Sequence, residues 1–382
     1  MKTVAIIAEY NPFHNGHKYQ IDKLKNDNSR VIAIMSGSFV QRGDIAVFDK
    51  WTRARAAIEN GCDLVLELPV CYSLNSAKNF AYGAVSILNK LNVIDTLCFG
   101  AECDDMQRLS DLADLILNES VEIKKRIKEY NALGYSFPRA LSKAYDGVID
   151  TSVLEKPNNI LALEYIMALK KLNSDISPFL IQRKGSEHDS FTNSDGIASA
   201  SYIRKLIQNK ADFSEFVPAS AYEVYKDADI YNISSLDTLI CGYLRLMKGD
   251  DLERINDVSE GLHNRIKHSA DTHTSFYDIA MGAKSKRYTL SRIRRVILSA
   301  LLGFCKAQDI NYIRPLAMNT TGKAILKEIK EKSSISIITK ASAYNQEDAM
   351  FSLDIKATDI FALANNKKSG LDFLTSPVIA DK

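Results

Sequence analysis

No stretch of this chain is apolar for long enough to span a bilayer, which takes roughly 18 to 20 residues. The opening run from Met1 to Ala8 is apolar only briefly before Glu9 and has no small-residue cleavage site, so it reads as a first strand and not as a signal peptide. Internal repeats and low-complexity tracts are absent too. The composition, 46% hydrophobic and 25% charged, excludes disordered, collagen-like and disulfide-scaffold classes. None of the six cysteines (Cys62, Cys71, Cys98, Cys103, Cys241, Cys305) forms a C-x-x-C pair, and no histidine cluster stands near them at zinc-ligand spacing. They read as free structural thiols of a reducing cytoplasm, with Cys98 and Cys305 as small buried hydrophobes. Net charge is scarce as well: 49 Lys and Arg against 47 Asp and Glu leave +2, too little to announce a nucleic-acid partner by itself.

What is present is an alternation of β-rich and helical stretches through the first half, the pattern of a parallel sheet covered by helices. Strands are expected over 3–9, 31–35, 64–68, 96–99 and 179–183, and helices over 16–25, 51–60, 77–91, 109–117, 121–130, 158–172 and 201–208. From about 220 helical patterns dominate, interrupted by a β-like run at 335–338. The change of rhythm places a boundary at 210–220, giving an α/β domain over 1–215 and a mainly α-helical one over 216–382.

Charge is uneven across these parts. Between Ala283 and Lys332 twelve basic residues face three acidic ones, about +9, while the rest of the chain sums to about −7. The densest piece carries Lys286, Arg287, Arg292, Arg294 and Arg295, and reads either as a solvated helix face or as a surface for phosphates.

The strongest motif is Asn11-Pro12-Phe13-His14-Asn15-Gly16-His17, between the first strand and the first helix. A helix amino terminus offers unpaired N–H groups to a polyphosphate, and Gly16 lets a nucleotide approach the backbone. His14 and His17, three residues apart, can face the same side and bind phosphoryl oxygens as charge shifts. Two histidines capping a helix or meeting solvent is the plainer reading of the same residues.

H-x-G-H at this junction resembles the signature of the nucleotidylyltransferase superfamily, whose reaction is in-line attack on the α-phosphorus of a nucleoside triphosphate. A second element of those relatives, close to I-S-S-T-x-I-R, is similar to Ala198-Ser199-Ala200-Ser201-Tyr202-Ile203-Arg204, which implies Ser201 and Arg204 as phosphate ligands. Further segments occur in order: Ser38 to Asp44, Lys50-Trp51-Thr52-Arg53-Ala54, Asp63 to Pro69, Phe99-Gly100-Ala101-Glu102, Lys156 to Leu161, Glu260 to Arg265 and Ser291 to Arg295. The set resembles the bacterial tRNA(Met) cytidine acetate ligase family over most of the chain. That resemblance implies a Rossmann-like nucleotidylyltransferase domain with a parallel sheet, followed by a mainly helical tRNA-binding domain. It implies a cytoplasmic ATP-dependent enzyme that activates acetate as acetyl adenylate and acetylates N4 of the wobble cytidine of elongator tRNA(Met). Mg²⁺ is expected with the phosphates, and acetyl-CoA, a membrane and an obligatory protein partner are not. The implied ATP contacts are Ile7, Ala8, Glu9, Tyr10, Asn11, Pro12, Phe13, His14, Asn15, Gly16, His17, Lys18, Tyr19, Gln20, Gly100, Asn158 and Arg183, with His14 and His17 catalytic and no protein metal site.

Plainer readings remain for some of these. Gly100 could be a turn glycine, and Asn158 a helix cap chosen over Asn159 by family register alone. Gln41, Arg42 and Asp44 could position acetate or magnesium, or simply hold their loop by salt bridges. His188 and Asp189 could contact substrate or stand idle. Competing functions are a small-molecule adenylyltransferase and a non-catalytic RNA-binding protein that senses ATP.

Overall fold

Strand β1 (Thr3–Ala8) is apolar on both faces, as a central strand buried between two helical layers must be. In the computed structural model, which describes every residue except 27, 136, 184–197, 346, 381 and 382, it lies inside a seven-stranded sheet. It pairs in parallel with β2 (Arg30–Ser36), which pairs with β3 (Leu64–Leu68). On its other side it pairs with β4 (Thr96–Ala101), which pairs with β5 (Ser177–Gln182), again in parallel. The chain thus winds outward one way through β2 and β3, then returns to place β4 against β1. The crevice past the carboxyl ends of β1 and β4 is where an open α/β sheet takes its ligand.

Side chains alternate across the strands and feed two cores. Val4, Ile6, Val31, Ala33 and Met35 face one core, with α1 (Asn15–Asn26) and α2 (Lys50–Glu59) packed over them. Ala5, Ile32 and Ile34 face the other, covered by α3 (Ala77–Leu91) and α4 (Pro157–Lys171). Phe80, Ala84, Ile87, Leu88 and Leu91 all lie buried, as the spacing of α3 requires. Helices α5 (Ala200–Gln208) and α6 (Ala219–Tyr225) return to the first face, where Tyr225 stacks on Phe48 at 4.5 Å.

Beyond residue 215 the chain is mainly helical, including α7 (Leu290–Leu302), α8 (Thr320–Lys332) and α9 (Ala349–Leu363). Two strands from this part nevertheless join the main sheet. β6 (Pro315–Met318) pairs antiparallel with β3, and β7 (Val378–Ile379) pairs in parallel with β6. The sheet therefore draws strands from both sides of the expected boundary. Neither of these short strands was expected, because their runs are too brief for a period and their sheet partner lies far away in sequence. The β-like run at 335–338 does form a strand, Ser336–Ile337, paired with Tyr312–Ile313 in a small separate sheet. All six cysteines are free, but Cys305 is exposed, not buried: it comes after Gly303, whose left-handed φ of 70° ends α7 and turns the chain outward. Among the described residues no helix is long and apolar enough to cross a membrane.

Candidate active site

The crevice is built by the turn that leaves β1. Tyr10 takes a left-handed φ of 45°, the Asn11–Pro12 bond is cis, and α1 begins at Asn15. Tyr10 and Phe13 are almost fully buried, with ring centroids 5.0 Å apart, and both pack under His17, at 4.9 and 5.6 Å. This aromatic floor fixes the imidazole above it. His14 stacks on His17 with centroids 3.8 Å apart and planes 24° from parallel.

Backbone groups decide the protonation of the pair. Gly16 N–H donates to His14 Nδ1 at 3.1 Å, and His14 N–H donates to His17 Nδ1 at 3.2 Å. A ring nitrogen that accepts carries no proton, so the proton of each ring sits on Nε2, on the side away from those backbone donors. Burial, then the charges of Arg183 and Arg204, pull His14 down to about 3. Burial and the neighbouring His14 and Arg183 hold His17 well below its ordinary range. At neutral pH the two rings are uncharged N–H donors, and the positive charge of the site comes from arginine.

Arg204 is delivered by α5. Ser199 caps that helix by accepting from Tyr202 N–H at 3.2 Å, while Ile203 and Ile207 point into the core. The arginine then reaches the motif, with Nη1 donating to the Asn11 carbonyl at 2.8 Å. Ser201 lies in the first turn of the same helix, half-buried. Arg183 comes directly after β5, where its N–H donates to the Ala101 carbonyl at 2.9 Å. A Cβ on Gly100 would stand 3.1 Å from Arg183 Cγ, so the room left by this glycine is taken by the stem of Arg183.

Asn158 is not a cap. Lys156 holds the cap position of α4 and Pro157 its first turn, and Asn158 Nδ2 donates to Glu102 Oε1 at 2.6 Å. The adjacent Asn159 is buried, and its Oδ1 accepts the N–H groups of Glu102 and Cys103 at 2.9 and 2.8 Å. Asn159 thus shapes the turn after β4, and Asn158 is tied to Glu102 in that same turn.

The other residues of the 7–20 segment divide. Ile7 and Ala8 end β1, Asn11 Oδ1 accepts from Val47 N–H at 2.9 Å, and Phe13 N–H donates to the Tyr225 hydroxyl at 3.0 Å. Buried Pro12 lies between those two anchors. Asn15 Nδ2 donates to the Glu215 carbonyl at 2.9 Å and Gln20 Nε2 to Cys98 Sγ at 3.4 Å. Lys18 pairs with Asp22, and the Lys23 ammonium lies 5.6 Å from the Tyr19 ring centre. Glu9 Oε1 accepts from Gln41 N–H at 2.7 Å, and Asp44 lies 3.6 Å from Arg294. His188 and Asp189 lie outside the described residues.

Arg53 is the residue whose part at the site went unread. Fully buried, it donates to the carbonyls of Glu9 at 2.6 Å, Ser36 and Phe48 at 3.0 Å, and also Gly37. It ties together the carboxyl ends of β1 and β2 on which the crevice rests. The available signal was an arginine among Ala54, Ala56 and Ala57 on a face that only a core could fill.

The basic residues of the 283–332 stretch are less bare than their sequence. Lys286 is exposed. Arg287 pairs with Glu260 at 3.1 Å, Arg292 and Arg295 with Asp257 at 3.3 and 2.9 Å, and Arg294 with Asp44. Arg295 is only 9% exposed. These acidic partners, Asp44, Asp257 and Glu260, all come from outside the basic stretch.

A family model described as HIGH Nucleotidyl Transferase matches residues 1–373. A tRNA(Met) cytidine acetate ligase of Thermoanaerobacter sp. is 41% identical over 399 residues, covering 98% of each chain. Another, of Clostridium perfringens, is 40% identical over 402 residues and covers 99% of this chain and 100% of its own. The chain belongs to the tRNA(Met) cytidine acetate ligase family. The crystal structure of Thermotoga maritima TmcAL bound with alpha-thio ATP matches it over 100% of both chains, with a TM-score of 0.91 at 30% identity. The apo form of that protein gives 0.92. The cytidine acetate ligase match runs through both halves of the chain, so it covers the helices beyond 215 as well as the crevice at β1 and β4. It sets aside the reading of the chain as a non-catalytic binder.

Proposed function

We propose that this enzyme uses ATP to activate acetate and then acetylates N4 of the wobble cytidine of elongator tRNA(Met). The observation that carries the chemistry is the stacked pair His14 and His17, each with Nδ1 engaged by a backbone N–H and a proton on Nε2. Acetate is a poor acyl donor because oxide would have to leave. In the first step an acetate oxygen bonds to the α-phosphorus and the bond to the β-phosphate bridge breaks, releasing pyrophosphate. In the second step cytidine N4 bonds to the acetyl carbon, AMP leaves, and the amine loses a proton. Neutral N–H donors suit the first step, since they meet charge that grows on the phosphoryl oxygens without over-binding ground-state ATP. Arg183 and Arg204 supply the fixed charge, and Ser201 is a further phosphate ligand in this reading.

Among the described residues no three of His, Cys, Asp or Glu come together as a metal site. A Mg²⁺ that arrives with the triphosphate would be carried in by the nucleotide and would supply charge neutralisation at its phosphates. In this reading residues 1–215 hold the nucleotide, and residues 216–382 hold tRNA through exposed basic groups such as Lys286. The cytoplasm, where tRNA and ATP meet, is the place of action.

Purified enzyme, labelled acetate, ATP and elongator tRNA(Met) should give acetylated cytidine with one AMP and one pyrophosphate per acetyl group, and no need for acetyl-CoA. Activity that depends on acetyl-CoA would reject the ligase mechanism. Transfer of AMP to a small phosphate ester would favour the adenylyltransferase reading.

A further inference from the structure

The loop after β2 is fastened on two sides. Toward the crevice, Gln41 N–H donates to Glu9 Oε1 at 2.7 Å and Val47 N–H to Asn11 Oδ1 at 2.9 Å. Both attachments lie in the few residues that lead from β1 to His14. Toward the other half of the chain, the loop meets the first turns of α7. Arg294 Nη2 lies 3.6 Å from Asp44 Oδ2, and Arg295 Nη1 donates to the Gln41 carbonyl at 3.4 Å. Gly43, at a φ of 72°, is pressed against the helix so closely that a Cβ would stand 2.6 Å from both Arg294 Cβ and Arg295 N. Only a residue without a side chain fits there, so loop and helix are built to touch.

The groups on this bridge form one charge cluster. Asp44 lies in the field of both Arg294 and Arg204, and Arg204 feels Glu9, Asp44, Arg42 and Arg294. Arg204 is the arginine that holds the Asn11 carbonyl. Three guanidinium groups gather here, with Asp44 and Glu9 as the carboxylates among them. Losing the Asp44 charge sets those cations against one another. Losing Arg294 leaves Asp44 to draw on Arg204 instead.

We propose that Asp44 and Arg294 are a positioning pair for nucleotide activation: through them α7 holds the 41–47 loop, and the loop holds the side chains of Glu9 and Asn11, the residues that lead to His14 and whose Asn11 carbonyl Arg204 meets. The proposal rests on the activation chemistry above, and it assigns Arg294 to that step and not to tRNA phosphates. Each member acts through its neighbours and touches no reacting atom.

The test uses the full chain carrying Asp44→Asn, Arg294→Gln, both together, or Arg294→Lys. Acetylation at saturating tRNA should fall about tenfold in kcat for each of the first two. The double variant should be no worse than either single one, because both remove the same contact. Arg294→Lys should recover most of the rate, since an ammonium can still meet Asp44. Affinity for tRNA and its salt dependence should stay within twofold of wild type. A drop in tRNA affinity with a shallower salt slope and an unchanged kcat would make Arg294 a phosphate contact and overturn the proposal. Additive losses in the double variant would overturn it as well. A fluorescent nonhydrolysable ATP analogue, titrated without acetate or tRNA, separates this question from the acetylation reading. About tenfold weaker binding by the first two variants supports the positioning pair even where wild type transfers no acetyl group. Unchanged binding rejects it.

Discussion

Whether a histidine helps a triphosphate by charge or by a hydrogen bond depends on one proton. His14 is held near 3 against an ordinary 6.5, chiefly by burial, so it is neutral throughout the physiological range. Side-chain nitrogen NMR of the free enzyme should show the neutral Nε2–H tautomer of His14 persisting from pH 8 to pH 5; a midpoint near 6.5 would contradict the geometry. The linked effect on stability has a definite sign. Between about 3 and 6.5 the unfolded chain binds a proton here that the folded chain refuses, so this contribution is full above 6.5 and is lost as pH falls. A folded His14→Asn variant should show a flatter acid limb, and should lose roughly 10²-fold or more in kcat through the missing donor. The spacing of H-x-G-H disclosed the pair, but the tautomer could not be read there, because it is set by which N–H groups the turn after Pro12 presents.

At the scale of elements, legibility tracked sequence distance. β1, α1, β2 and α3 announce themselves because each is long enough for its own period, and their order alone points to the crevice at β1. β6 and β7 are too short for that and exist because β3 has an open edge to pair with. Helix α8, next to β6, shows how such contacts outweigh local preference. Its Gly322 would be improved by alanine on propensity alone, by about 1 kcal/mol. A Cβ there, however, would stand 2.0 Å from the Asp63 carbonyl oxygen, a backbone atom that cannot step aside. Asn319 fastens the same turn, accepting from Gly322 N–H at 2.9 Å and donating to Asp63 Oδ1 at 3.0 Å. Gly322→Ala should therefore destabilise the protein by about 1–3 kcal/mol, read as a lower denaturant midpoint with an unchanged slope.

Across the whole molecule, the two halves are closed on each other by charge as well as by the sheet. Lys50, fully buried on α2, lies 2.8 Å from Glu67, 2.7 Å from Asp372 and 3.1 Å from the Thr358 hydroxyl of α9. Arg314, just before β6, meets Glu67 at 3.4 Å and Asp372 at 2.7 Å. Removing one carboxylate leaves two buried cations under-compensated, which costs far more than a surface pair. Asp372→Ala should lower stability by about 3–5 kcal/mol, and amide exchange should accelerate first in β6 and β7. The motifs holding Lys50 and Glu67 were visible in the sequence, but Asp372 was not, since nothing near it repeats.

The late arrival of β6 also matters for biosynthesis. While the ribosome is still making the middle of the chain, β3 has β2 on one side and bare backbone donors and acceptors on the other. Until residues 315–318 emerge, that flank is open to strands from neighbouring nascent chains. Translation that stalls before this point would leave a half-sheet suited to chaperone capture, and to aggregation where chaperones are scarce.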